Sequence, residues 1–152
     1  MSDQPLLKIS NLRSGYGGES VLQGVDLTIA HGEIVAVVGR NGVGKSTLMR
    51  TLTGLLKPSA GTIHFNGRDA TADAANIRAR NGIGYIPQGR EVFPELTIRE
   101  NLIVGEVAGN GRGRPDYETV YRFFPILKER SRQRAGTLSG GQQQQLAIAR
   151  AM

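Results

Sequence analysis

The sequence predicts an α/β fold that carries a helical insertion, and three observations lead there. Alternating and helix-spaced segments interleave through the first half of the chain. A short apolar run, Glu33 to Val38, leads into a glycine-rich loop and then a helix. After Pro94 nearly every segment reads as helix.

Leu6 to Leu12 alternates apolar and polar residues (Leu7, Ile9, then Leu12) and predicts a strand. Ser14 to Gly18 predicts a turn. Val21-Leu22 and the alternation of Val25, Leu27 and Ile29 predict more strand, closed by His31-Gly32. Glu33 to Val38 has the apolar content of a strand buried on both faces. A helix follows from about Lys45 to Thr53, with Gly54 as its stop signal. Thr62 to Phe65 predicts a strand running into an Asn66-Gly67 turn.

Ala72 to Arg80 predicts a helix ended by Asn81-Gly82, and Ile83 to Ile86 a strand stopped by Pro87. Thr97-Ile98-Arg99-Glu100 has capping-box spacing and opens a helix to about Val104. Ala108 to Pro115, rich in Gly and Arg, predicts a loop. Asp116 to Phe124 predicts a helix closed by Pro125. Ser139 to Gln142 again has capping-box spacing, with helix to Ala151. The expected organisation is a core over residues 1–94 and a helical subdomain over about 95–152.

The chain has 152 residues, enough for one domain with a real core. Without cysteine it can form neither a disulfide nor a Cys-based zinc site. Met1 to Pro5 lacks the basic stretch and apolar run of a signal peptide, and no apolar stretch is long enough to span a bilayer. A cytosolic chain is expected, free to dock on a membrane protein. The net charge of +6 suits nucleic-acid, anionic-lipid or nucleotide partners, and equally a solvated basic surface.

The segment Gly39-Arg40-Asn41-Gly42-Val43-Gly44-Lys45-Ser46 matches the phosphate-binding loop: Gly, four residues, then Gly-Lys-Ser. Glycines let the backbone curl so that several N–H groups face one point beside a helix N-terminus, which makes an anion site. Lys45 is placed to reach the β- and γ-phosphates and Ser46 to hold Mg²⁺. Many enzyme classes carry such a loop. The Asn-Lys-x-Asp that would mark guanine selection is missing.

Leu138-Ser139-Gly140-Gly141-Gln142 is the second motif. Read alone it is a helix start, with Ser139 as N-cap and Gln142 reaching back. A helix N-terminus clear of bulky side chains also suits a γ-phosphate. Together with the phosphate loop and Gln88, in this order and approximate spacing, the motif resembles the ABC ATPase family from about Leu7 to the last residue.

That resemblance implies an ABC-type P-loop core with a helical insertion, binding ATP and Mg²⁺. It implies a head-to-tail pair of ATPase subunits, in which Ser139, Gly140 and Gly141, at the start of Gln142's helix, close on the partner's ATP. It also implies an adenine-stacking role for Tyr16, otherwise an ordinary turn tyrosine. Gln88 would touch Mg²⁺ and the attacking water; a loop glutamine is otherwise simply solvated. Thr47 would add an α-phosphate contact, beside the loop residues Asn41 and Val43.

Tyr85 to Thr97 is similar to the ATPase subunits that import branched-chain amino acids, urea and short amides, and Gln88 to Phe93 leans toward the urea or amide branch. The implied partners are a second ATPase subunit, transmembrane permease subunits and, indirectly, a solute-binding protein. The implied place is the cytoplasmic face of the cell membrane. Val92-Phe93-Pro94 reads either as core or as part of a groove for a membrane subunit's helix. The basic residues of Arg112 to Arg134 form a solvated face or attract anionic headgroups.

Family members also carry, after the helix that opens at the signature motif Leu138 to Gln142, an apolar strand ending in Asp-Glu and then a histidine. Neither follows Met152 here, and His31 and His64 lie too early to substitute. The expectation is a chain truncated after the signature motif, with the C-terminal part of the core absent. It should hydrolyse ATP negligibly on its own and have a tendency to aggregate. Two other readings stay open: a non-catalytic nucleotide-binding fragment, and an ABC-type ATPase acting on nucleic acid or ribosomes. The second is disfavoured by the lack of an aromatic-interleaved basic stripe.

Overall fold

The computed structural model describes residues 4–89, 91–108 and 116–152. The chain divides into two compact units, Met1–Arg78 and Ala79–Met152.

The first unit is an antiparallel sheet with one helix against it. Strands β1 (Leu7–Tyr16), β2 (Glu19–Ile29), β3 (Ala60–Phe65) and β4 (Arg68–Asp69) lie in the order β2-β1-β3-β4. The alternation of Leu7, Ile9 and Leu12 predicts β1, and Ile9 and Leu12 are its buried apolar positions, with Ser14 buried beside them. β1 runs on through Ser14 to Tyr16, where a turn was expected, because Tyr16 pairs with Glu19 around a turn at Gly17-Gly18. The two apolar patches after that turn are one strand, β2. Helix α1 (Lys45–Leu52) places Leu48 with Ile9, Leu12, Leu22 and Ile63 in the core. Gly54, at φ 78°, follows its C-cap Thr53. The short helix α2 (Ala75–Arg80) starts three residues later than the apolar spacing suggests.

The buried strand expected at residues 33–38 does not form. Those residues are irregular and exposed, Ile34 and Val38 almost fully so. A strand buried on both faces needs a ladder partner at its side, and no described residue pairs with this segment. Residues 83–86, also expected as a strand, are irregular for the same reason.

The second unit is helical: α3 (Ile98–Ala108), α4 (Tyr117–Phe123), α5 (Pro125–Glu129), a single 3₁₀ turn (Ala135–Thr137) and α6 (Gly140–Ala151). Thr97 and Glu100 form the reciprocal cap that their spacing predicts. The Thr97 N–H donates to the Glu100 carboxylate (2.7 Å) and the Glu100 N–H to the Thr97 hydroxyl (3.2 Å). α3 runs past Val104, its expected end, to Ala108. Asp116 caps α4 by accepting from the Thr119 N–H (2.9 Å). Pro125 opens α5 as well as closing α4, because its missing N–H costs nothing at a first helical position. Ile98, Leu102, Val120, Leu127, Leu138 and Leu146 form the core. Most of the Gly/Arg-rich loop expected at 108–115, with Arg112 and Arg114, lies outside the described residues, as does Arg90.

Candidate nucleotide site

The loop 39–46 and the first turn of α1 form the site in the first unit. Gly44 is the N-cap of α1 at φ 102°, a conformation that a side chain disfavours. A Cβ there would also press on Leu22 Cδ2 (3.1 Å) and Val21 Cγ1 (3.2 Å), so β2 and the loop meet closely at this point. With no side chain at the cap and no acidic residue in the first turn, the opening N–H groups of α1 receive no side-chain cap. The Leu48 N–H already closes on the Gly44 carbonyl (2.8 Å), which sets the helix direction.

Lys45 folds back across the loop. Its Nζ donates to the Gly39 carbonyl (2.7 Å) and the Arg40 carbonyl (2.6 Å). A fixed ammonium, a helix N-terminus and uncapped N–H groups share one mouth, which is the chemistry of a phosphate site. Asn41, Gly42 and Val43 line the exposed loop, with Gly42 at φ 84°. Ser46 is exposed on the first turn of α1. No group of three or more His, Cys, Asp or Glu side chains suited to a metal occurs among the described residues. The Ser46 hydroxyl is an oxygen that a Mg²⁺ bound here would take beside phosphates and water, which suits an ion that dehydrates reluctantly.

Tyr16, at the end of β1, is about half exposed, at 47%. The Arg50 guanidinium beside its phenol is the main cause that holds its pKa below the usual tyrosine value, and the Thr47 side chain adds to it. Both residues project from α1, so the aromatic ring is tied to the same helix that carries Lys45 and Ser46. Thr47 itself is buried.

The second unit holds the other predicted residues. Gln88 is exposed in a turn, followed by Gly89 at φ 104° and by Glu91, a non-glycine residue at φ 43°. Ser139 caps α6, accepting from the Gln142 N–H (3.3 Å), while the Ser139 N–H donates to Gln142 Oε1 (3.0 Å). Ser139 and Gly141 are exposed, and a Cβ on Gly141 would meet nothing within 4 Å. That helix start is open to a large anionic group. The structure thus groups Tyr16, the loop, Lys45, Ser46 and Thr47 in one unit, and Gln88 with Ser139 to Gln142 in the other.

Three supporting residues were not visible in the sequence. Arg78 is buried and donates to the Thr51 (2.7 Å) and Leu52 (2.8 Å) carbonyls at the end of α1, and to the Thr71 (3.0 Å) and Asp73 (3.0 Å) carbonyls. Asn101 is buried in α3 with its amide turned back on the segment before the helix. Arg150 ends α6 against Glu91 and Phe93. An arginine or asparagine at helical spacing carries no signal that separates such a role from a solvated one.

Residues 22–152 match the family model described as ABC transporter. The high-affinity branched-chain amino acid transport ATP-binding protein BraG of Pseudomonas aeruginosa is 40% identical, over 97% of this chain and 64% of the relative. The probable branched-chain amino acid transport ATP-binding protein LivF of Archaeoglobus fulgidus is 37% identical, over 97% and 63%. The chain therefore spans a little under two thirds of these relatives' length. A solved ATP-binding subunit of an ABC transporter superposes with a TM-score of 0.83 at 33% identity, over 95% of this chain and 60% of that one.

Proposed function

Because this chain belongs to the ABC transporter family, matched over residues 22–152, we propose that it is the nucleotide-binding part of an importer's ATP-binding subunit, which couples ATP binding and hydrolysis to uptake of branched-chain amino acids. The resemblance of Tyr85 to Thr97 keeps urea and short amides as the alternative solutes. A subunit of this kind does not contact the solute: a binding protein and the permease subunits choose it. The proposed partners are those permease subunits and a second ATPase subunit, at the cytoplasmic face of the membrane. Among the described residues no helix is long and apolar enough to cross a membrane.

The observation that carries this reading is the phosphate loop, with Lys45 Nζ fixed on the Gly39 and Arg40 carbonyls at the mouth of α1. In the proposed cycle Lys45 and the first N–H groups of α1 hold the β- and γ-phosphates. Ser46 and Gln88 would hold Mg²⁺, which would supply charge that offsets that developing on the transferred group. Tyr16 stacks on the adenine, and Arg50 and Thr47 keep its ring beside α1. Gln88 orients the attacking water, since its amide both donates and accepts. Ser139, Gly140 and Gly141 of one copy close on the γ-phosphate held by its partner.

Retention on immobilised permease cytoplasmic loops would not separate solute classes, whereas reconstitution would. With branched-chain permease subunits in vesicles, ATP-dependent leucine uptake is expected. Uptake only when urea or amide permease subunits replace the branched-chain ones would select the alternative branch, and salt-sensitive retention on RNA with no uptake would select the nucleic-acid reading.

A further inference from the structure

We propose that Arg150 is a positioning residue for Gln88: the last turn of α6 anchors the loop that carries Gln88 on both of its sides. The inference rests on the ATPase reading above. It extends that reading to a residue which touches neither nucleotide nor metal.

Downstream of Gln88, Arg150 Nη2 donates to the Glu91 carbonyl (2.8 Å), and its guanidinium lies over the Phe93 ring, 5.0 Å from the centroid. Glu91 is held at φ 43°, a left-handed conformation that a non-glycine residue keeps only when its surroundings impose it. The carbonyl gripped by Arg150 belongs to that residue. Upstream of Gln88, Gly84 passes so near the next residue of α6 that a Cβ would lie 2.8 Å from the Ala151 carbonyl. The two flanks of the Gln88 loop thus meet α6 at consecutive positions.

A second clamp sits on α3. The Asn101 side chain accepts from the Phe93 N–H (2.9 Å) and donates to the Phe93 (3.0 Å) and Thr97 (3.0 Å) carbonyls. α3 and α6 are themselves locked together: a Cβ on Gly105 would lie 2.3 Å from the Arg150 carbonyl. The first turn of α6 is Ser139 to Gln142, and a twelve-residue helix is a stiff rod about 18 Å long. Movement of the signature turn is therefore passed by α6 to the Gln88 loop, and Arg150 is the joint.

The test uses the ATP-binding subunit in its transporter complex, with Arg150→Ala, Arg150→Lys and Phe93→Leu. Phe93→Leu removes the ring contact while leaving α6 intact. Amide hydrogen exchange is read at residues 85–93 and at the phosphate loop, together with kcat and KM for Mg·ATP. The proposal predicts faster exchange at 85–93 in Arg150→Ala, with the phosphate loop unchanged. It predicts a kcat reduced by about tenfold or more with KM within about twofold, and partial recovery of both in Arg150→Lys. Wild-type exchange at 85–93 in Arg150→Ala, or kcat and KM that shift together, would overturn it. A wild-type complex without ATP turnover would overturn the ATPase reading instead, and the exchange at 85–93 would still decide the clamp.

Discussion

Arg78 shows how much one side chain can hold in the first unit. The carbonyls at the end of a helix lack helical partners; Arg78 donates to Leu52 and joins the Gly54 N–H on Thr51, while also bonding the loop before α2. Arg78→Ala would leave four carbonyls without this donor. The expected cost is about 2–3 kcal/mol, seen as a lower denaturation midpoint with an unchanged slope. Arg78→Lys should recover little of it, since an ammonium cannot reproduce the planar fork. At this scale the sequence was legible where residue type and spacing define a local motif. Lys45 and Ser46 open the helix that the glycine-rich spacing predicts, with Gly44 as its cap, and Ser139 and Gln142 form the cap that their spacing demands. Arg78, Asn101 and Arg150 were illegible because their partners are backbone carbonyls and a ring, which any stretch of sequence supplies.

Among elements, the close approach of α3 and α6 depends on Gly105. Gly105→Ala would drive a methyl into the Arg150 carbonyl, at a cost of about 1–3 kcal/mol even though alanine favours helix. A melting temperature equal to wild type would show that the helices can separate freely. The N-terminus of α3 makes a pH-dependent contribution. The Thr97 N–H and hydroxyl hold the Glu100 carboxyl below its ordinary pKa. A lowered native pKa means stability that is present above the unfolded carboxylate range and lost as pH falls through the native value. The melting temperatures of wild type and Glu100→Ala should therefore differ near neutral pH and converge in acid; a constant gap would contradict this. The helices were legible because caps and spacing are local. Residues 33–38 and 83–86 were misread because a buried strand is defined by its ladder partners, and apolar content says nothing about whether these are present.

Among the described residues, two helix starts suit anionic groups, one at Gly44 and one at Ser139, on units with separate cores. The proposed head-to-tail pairing would give one chain a use for both, and it makes the phosphate loop the claim on which the rest depends. The most direct measurement is calorimetric titration of this chain with Mg·ATP, beside Lys45→Ala. Lys45 Nζ is the only cation fixed on the loop carbonyls among the described hydrogen bonds. Its loss should weaken binding by about tenfold or more, since a charge-assisted phosphate contact contributes roughly 1.5–3 kcal/mol. Equal affinities of wild type and variant for Mg·ATP would contradict the account, because the nucleotide would then be held somewhere other than the loop at the start of α1.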